Sequence, residues 1–539
     1  MNEEIEEYYE ELYRLYIDEN QPLERRYRQL RESLERVVRE KIQGNSLQTT
    51  DLAARINYVA TQYGLDLKEQ NQLHTFRLTS NDILNHRKSP VKEEFLCDLR
   101  AVAYAYRKMF AQDIPLKLFS VLPKQEIASS GKKEKMEYIR RIRVCFDYAD
   151  DTYLYVHPVD VTADEPIRVV YNKPGINHEF EETIKELWRY AQLNLLDVSV
   201  DRDGIYTPSF IVLEPDYLID ISSLAECYKD YGSHPANYFL SRLVPIDNAR
   251  PLLLGNIANL FLDEWIHAGE EEPDYIDCMK KAFRQYPIEL AACAELRDPS
   301  KEKEFAKDCR MHFEHIRDVV QHTFLEPGYN LDKKEAVLEP SYICEALGIQ
   351  GRLDYMQRDM SSFIEMKSGK ADEFSMQGKV EPKENNKVQM LLYMAVLEYS
   401  MGQDRRRMHP YLLYTRYPLL YPARASWAQV RRVINLRNRI VAAEYGVQFH
   451  NHPDFTRNLL AQINPEVVNE RKLSGRFWEQ YLKPSISRFR EKLSALEPLE
   501  QAYFYTLYNF ITKELYTSKS GDVDYEGRAG ASALWLSTL

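Results

Sequence analysis

Residues Gly348–Lys370 read GIQGRLDYMQRDMSSFIEMKSGK. In the second half, Phe363–Ile364–Glu365–Met366–Lys367 alternates apolar and polar side chains. That pattern predicts a strand with Glu365 and Lys367 on one face. In the first half, Gly351–Arg352–Leu353–Asp354–Tyr355 predicts the preceding strand, joined by a short polar turn around Asp359–Ser362. An antiparallel hairpin of the two brings Asp354 beside Glu365. Two carboxylates on adjacent strands form a hard-oxygen site for Mg²⁺ or Mn²⁺. A lysine one step away can orient or deprotonate a water attacking phosphorus.

The triplet alone is weak. With 83 acidic residues in 539, roughly five acid-x-Lys triplets arise by chance. Asp66–Lys68, Asp332–Lys334 and Glu381–Lys383 are such triplets, none within an apolar strand. Glu365–Lys367 differs in its surroundings. It sits in apolar alternation, follows an acid in another β run, and precedes a predicted helix, Asn386–Ser400. Gln389 and Tyr393 share one face of that helix at i and i+4. Taken without these neighbours, the three residues read as an exposed strand pair carrying a salt bridge.

Outward from this stretch, residues 1–113 predict a helical module, with 1–43 as a solvated hairpin or stalk and Leu96–Met109 as a buried helix. Residues 114–221 predict a β-rich, barrel-like domain with strands KLFSVLP, EYIRRIRVCFDY, TYLYVHPVD and PIRVVYN, then a helix over His178–Ala191. Arg140, Arg141 and Arg143 in that run, with Lys132, Lys133 and Lys135 before it, suggest either a phosphate-facing edge or a charge-protected edge strand. Residues 222–446 predict an α/β core with a helical insertion at about 267–325, and 447–539 a helical region. The fold class expected is therefore multidomain α+β.

The series GIQGRLDY, FIEMKSGK and VQMLLY resembles the motifs of the PD-(D/E)XK nuclease superfamily, in its RecB-like branch: Gly-x-hydrophobic-Asp, Asp/Glu-x-Lys, Gln-x-x-x-Tyr. Within that branch the likeness is to the nuclease half of flap-trimming replication nuclease–helicases and to the single-domain exonucleases of CRISPR adaptation. It runs from about Ile219 to Tyr445, and the β-rich segment stands where the flap nucleases carry an OB-fold barrel. The resemblance implies a restriction-endonuclease-like core and a Mg²⁺- or Mn²⁺-dependent deoxyribonuclease acting on single-stranded ends or flaps. It implies Asp354 and Glu365 as metal ligands with the backbone carbonyl of Met366, and Lys367 at the nucleophilic water. Gln389, Tyr393, Arg352 and Arg437 would support the site and the DNA backbone, with Arg439 beside them. The family's Gly-x-x-x-His is Gly255–Asn259 here, so Asn259 takes the place of a metal-binding histidine. Asp263 and Glu264, further along that helix, read as surface charges.

Flap-type relatives clamp an iron–sulfur cluster with four cysteines. Cys227 stands where the first belongs, but no cysteine follows Cys344, so no cluster is expected. Cys227 is then a buried small hydrophobe, and packing by Phe477, Trp478 and Tyr481 closes the fold instead. There is no GxxxxGK[ST] loop, so no ATP site is expected in this chain. The ending SALWLSTL is read as the front half of a longer nuclease–helicase, with a separate helicase subunit as the other option. The net charge of −12 argues against indiscriminate coating of nucleic acid, though not against a local basic channel. Seven irregular cysteines, no signal-peptide pattern and no long apolar run point to a cytoplasmic protein with no membrane partner. DNA repair, replication processing and antiviral defence all suit such an enzyme. A non-catalytic DNA-binding or assembly module serving a helicase is the competing class.

Overall fold

The computed structural model describes residues 2–18, 20–42, 52–123, 138–159, 165–201, 203–243, 250–374, 379–424, 426–450 and 452–520. The protein is a mixed α+β chain with several small sheets and many helices. It divides into two compact units. One holds residues up to 217, 441–456 and the described residues from 503 onward; the other holds 218–440 and 457–502.

The first unit begins with helices Asn2–Ile17, Leu23–Ile42, Leu52–Gln62, Leu67–Leu84 and Lys92–Phe110. Leu23–Ile42 is not the solvated stalk expected: Tyr27, Leu30, Leu34, Val37 and Val38 are fully buried in the helical core. Their spacing of three, four and one places them on a single face, which the arginines between them disguise in sequence. KLFSVLP, expected as a strand, instead contains a helical turn, Leu116–Phe119. Pro115 precedes it and accepts the first bonds of the turn from Leu118 and Phe119.

The β-rich segment contains β1 (Tyr138–Ala149), β2 (Tyr153–Pro158), β3 (Ile167–Val170), β4 (Gln192–Val200), β5 (Tyr206–Thr207) and β6 (Phe210–Leu213). The pairings β1–β2, β2–β3, β3–β5, β5–β4 and β4–β1 form a ring, with β6 added beside β4. Only β3–β5 is parallel. A bulge between Phe146 and Tyr148 bends the long β1 so that it can serve two partners. The helix expected over His178–Ala191 is shorter, a 3₁₀ turn His178–Phe180 and a helix Glu181–Lys185, because Gln192 already opens β4. Of the arginines in β1, Arg143 is buried, forms a bidentate pair with Asp216 (2.8 and 2.9 Å) and reaches Asn194. It is an internal ion pair and not a phosphate-facing residue. Lys132, Lys133 and Lys135 lie outside the described residues. The boundary expected at 113/114 does not separate compact bodies, since Ala53 and Ala54 share a small core with Cys145, Val159 and Tyr190.

The second unit opens with β7 (Ile219–Asp220). It continues through β8 (Ala336–Leu338), β9 (Ser341–Cys344), β10 (Ile349–Arg352), β11 (Tyr355–Gln357), β12 (Ser362–Lys367), β13 (Asp372–Phe374), β14 (Lys379–Glu381), β15 (His409–Tyr414) and β16 (Leu419–Pro422). Five strands form a sheet in the order β16-β15-β12-β11-β8, with β12 at its centre, parallel to β15 and antiparallel to β11. A three-stranded sheet, β7-β10-β9, stands beside it in the chain order. On one side of β12, Ile364 and Met366 join a core with helices Arg250–His267 and Pro299–Gln321. From the other side comes helix Glu384–Met401, whose Gln389 reaches Glu365. Between 267 and 325 the chain forms the helices Tyr275–Gln285, Pro287–Ala292 and Pro299–Gln321. No helix among the described residues is long and apolar enough to cross a membrane.

Candidate active site

The stretch expected as one strand, Gly351–Tyr355, is broken at Leu353–Asp354. Before the break the chain belongs to the β7-β10-β9 sheet, and after it to the β12 sheet. Asp354 therefore sits where the chain changes sheets. The register Tyr355↔Ile364 carries Asp354 opposite Glu365, as the hairpin reading expected. One oxygen of Asp354 accepts the Met366 N–H at 2.6 Å, tying the carboxylate to the central strand.

Two close approaches explain why the motif needs its residue types. A Cβ on Gly351 would stand 3.1 Å from the ring and hydroxyl of Tyr393 and 3.0 Å from Ile221. Tyr393 donates to the Arg352 carbonyl at 2.6 Å, so it fastens the segment entering Asp354. One turn earlier on the same helix, Gln389 accepts from Lys367 Nζ through Oε1 (2.9 Å) and donates to Glu365 Oε1 through Nε2 (2.6 Å). Lys367 also donates to Glu365 Oε1 at 2.9 Å. Glu365, Lys367 and Gln389 thus form a closed triangle.

Its electrostatics leave negative charge unanswered. Glu365 has a side chain only 5 % exposed, and its second oxygen, Oε2, has no hydrogen-bond partner among the described residues. Burial, and then the Asp354 charge, push Glu365 up to about 8 despite Lys367. Burial is also the main cause that pushes Asp354 above the usual carboxylate range. Burial pulls Lys367 down, but Glu365, Asp354 and Glu226 more than offset it, so the amine is held as an ammonium. An orphaned buried carboxylate oxygen beside a second acid is what hard-oxygen coordination of a divalent cation relieves. The donor set fits such an ion. Among the described residues no three His, Cys, Asp or Glu side chains gather tightly enough to hold a metal. Asp354 and Glu365 stand opposite each other on neighbouring strands, and Met366, next to Glu365 on the central strand, bonds Asp354 through its N–H.

Helix Arg250–His267 brings a further face. Gly255 lets it approach Ser368, whose Oγ would stand 3.3 Å from a Cβ there. Asn259 and Asp263 follow at i+4 and i+8; Asn259 is half-buried on this face. Asp263 is not the surface charge expected. Burial, then Glu339, with Asp354 also contributing, pushes it up to about 6. Glu264 does behave as a surface charge, paired with Lys281. Glu339, which the sequence reading did not single out, donates its N–H to the Asp354 carbonyl and pairs with Arg352 at 3.1 Å. Asp263 carried a sequence signal in its i+4 step from Asn259; Glu339 carried none.

Arg437 overturns an expectation. It is fully buried, not at a DNA backbone: its Nε donates to the Gly348 carbonyl at 3.1 Å and its Nη1 to Asn438. Gly348, at φ +65°, leaves its Cβ space to that guanidinium. Arg352 is exposed and Arg439 half-buried. Cys227 is buried as expected, with Sγ donating to the Ser223 carbonyl. Of the three aromatic residues expected to close the fold, Trp478 is buried against Tyr231, whereas Phe477 (57 %) and Tyr481 (64 %) are exposed. The remaining closure is polar. Glu470 receives the Ser233 N–H at 2.7 Å, and Arg471 donates to the Tyr231 carbonyl and pairs with Glu384.

Compared with protein-family models and with curated proteins, the chain matches none.

Proposed function

We propose that the protein is a divalent-cation-dependent deoxyribonuclease of the RecB-like PD-(D/E)XK type. It hydrolyses phosphodiester bonds at single-stranded ends or flaps, in DNA repair, replication processing or antiviral defence. The observation that carries the reading is the orphaned Oε2 of Glu365 beside Asp354, on a strand whose next outward residue is a bonded ammonium. The ring of strand pairings β1-β2-β3-β5-β4, with a short helix between β3 and β4, supports an OB-like, single-strand-binding module. A helicase domain or subunit as partner and a cytoplasmic setting belong to the same proposal.

In this reading Asp354 and Glu365 hold Mg²⁺ or Mn²⁺, with the Met366 carbonyl as a third donor and Asn259 as a weak, uncharged one. A divalent ion held there would supply polarisation of the phosphate and charge stabilisation for the departing oxygen. Lys367, fixed by Glu365 and Gln389, points a donor toward the water that attacks phosphorus as the P–O bond to the leaving sugar oxygen breaks. Because its ammonium form is favoured, Lys367 orients and stabilises charge before it exchanges a proton. Gln389 bonds both Lys367 and the same oxygen of Glu365. Tyr393 holds the Arg352–Asp354 corner, and Arg352, exposed and paired with Glu339, is the proposed contact to a substrate phosphate.

The test incubates the full chain with end-labelled single-stranded, duplex and flapped DNA in Mg²⁺, Mn²⁺ or EDTA. Cleavage of single-stranded or flapped DNA is expected with metal only, and Glu365→Ala is expected to lower it at least about a hundredfold. Cleavage that survives both EDTA and Glu365→Ala contradicts the mechanism. Tight single-strand binding without cleavage in either metal favours the non-catalytic module.

A further inference from the structure

Glu339 occupies a costly position that its contacts do not explain through stability. Its φ is +49°, in the left-handed region that residues with a side chain enter reluctantly, and Pro340 follows it. Two backbone bonds lock it there: Glu339 N–H to the Asp354 carbonyl (3.1 Å) and Leu353 N–H to the Pro340 carbonyl (3.1 Å). The first bond places Glu339 at the Asp354 corner, and its charge joins burial, the larger cause, in raising the Asp354 carboxyl. The partner of Glu339 is Arg352, at 3.1 Å, and the two side chains are 39 % and 56 % exposed. A pair so exposed adds little to folding. Strain, like-charge repulsion and a weak ion pair together make a poor structural device.

They make a good electrostatic one. With all groups ionised, Asp354, Glu365, Glu339 and Asp263 stand against Lys367 and Arg352, an excess of two negative charges. Without Glu339 the excess falls to one. We infer that Glu339 is a positioning residue of the proposed site. It draws a divalent cation onto Asp354 and Glu365 from outside the ligand set, and holds Arg352 at the site until a substrate phosphate takes the guanidinium. Action from outside suits the geometry, because the Glu339 carboxylate is engaged with the exposed Arg352 while its backbone is bonded to the Asp354 carbonyl. It also suits Mg²⁺, which takes one or two carboxylates and keeps water for its remaining positions. A phosphate exchanges well for a carboxylate on a guanidinium, since both accept its forked donors.

The inference rests on the cation-dependent reading above, and its test separates the two. Mn²⁺ alone is titrated calorimetrically into the full-length parent, Glu339→Gln and Glu365→Ala proteins. Binding of a labelled single-stranded oligonucleotide is measured separately in EDTA. Glu339→Gln is expected to weaken Mn²⁺ about tenfold, the range seen when outer partners of a metal site are removed. It is also expected to tighten DNA binding several-fold by freeing Arg352, a gain that Arg352→Ala in the same background abolishes. Glu339→Asp keeps the charge and retains Mn²⁺ affinity, which guards against a fold defect in the glutamine variant. If Glu365→Ala abolishes Mn²⁺ uptake while Glu339→Gln changes neither Mn²⁺ nor DNA binding, this inference fails and the nuclease reading stands. If no Mn²⁺ uptake depends on Glu365, both fail. Tightening that persists with Arg352→Ala also overturns the inference, since charge alone then accounts for it.

Discussion

Gln389 sets the charge arrangement of the site with one amide. Its oxygen takes the Lys367 proton and its nitrogen gives one to Glu365, so each end meets the partner of the right sign. Gln389→Ala would leave Glu365 Oε1 with Lys367 alone and strip Lys367 of a buried acceptor. The expected loss is about 1–3 kcal/mol of stability, the usual cost of an unsatisfied buried group. Single-turnover cleavage should fall by at least tenfold, with little change in KM. Thermal unfolding and rapid-quench kinetics on the same preparations check both, and a KM effect alone would argue against this role. At this scale much was legible. Asp354, Glu365 and Lys367 stood out by alternation, Gln389 and Tyr393 by their place in the resembling motif series, and the structure brings the five together. Arg437 was assigned to the DNA backbone by resemblance alone, and only the approach to Gly348 shows where its guanidinium goes. Asp263 was misread because helical periodicity gives a face without saying what that face meets.

Among the elements, the break between β10 and β11 matters most. Read as one strand, Gly351–Tyr355 would pair along β12 throughout; broken, it gives Gly351 and Arg352 to the β7-β10-β9 sheet and leaves Asp354 at the corner, still opposite Glu365. The break depends on Gly351, whose missing side chain admits Tyr393, and on the bond from Tyr393 to the Arg352 carbonyl. Gly351→Ala forces contacts of 3.0–3.1 Å on Ile221 and Tyr393, and the tyrosine ring is too enclosed to yield freely. A destabilisation of about 1–3 kcal/mol is expected, as for overpacked cores. Cleavage should fall in step as Asp354 shifts, and Tyr393→Phe should reproduce the activity loss with less effect on stability. Denaturant unfolding of both variants distinguishes these outcomes. Sequence could not show the break, because both halves carry the same β-like pattern and the change of sheet depends on partners far away in the chain. The same limit explains KLFSVLP: a short apolar run fits either a strand or one turn of helix, and Pro115 favoured the turn.

At the scale of the molecule, the chain is folded into two units that each use distant segments. In the first, Tyr445 donates to Glu214 and packs with Trp188, Tyr217 and Tyr516, so residues near 445 and 516 complete a body begun by the first 217. Burial pushes Glu214 up to about 7, a sign of how dry that junction is. In the second, Glu470, Arg471 and Trp478 close over the Tyr231–Ser233 segment with hydrogen bonds and one aromatic contact. The expected linear division at 113, 221 and 446 missed this re-entry, since periodicity is local and says nothing about where a chain returns. The proposed function rests on the second unit alone, where Asp354 and Glu365 are proposed to form a divalent-cation centre. Its most direct test is an anomalous difference map from crystals grown with Mn²⁺. One peak is predicted at coordination distance from Glu365 Oε2 and an oxygen of Asp354, absent from Glu365→Ala crystals. Manganese bound elsewhere, with Glu365 Oε2 still unpartnered, would contradict the account.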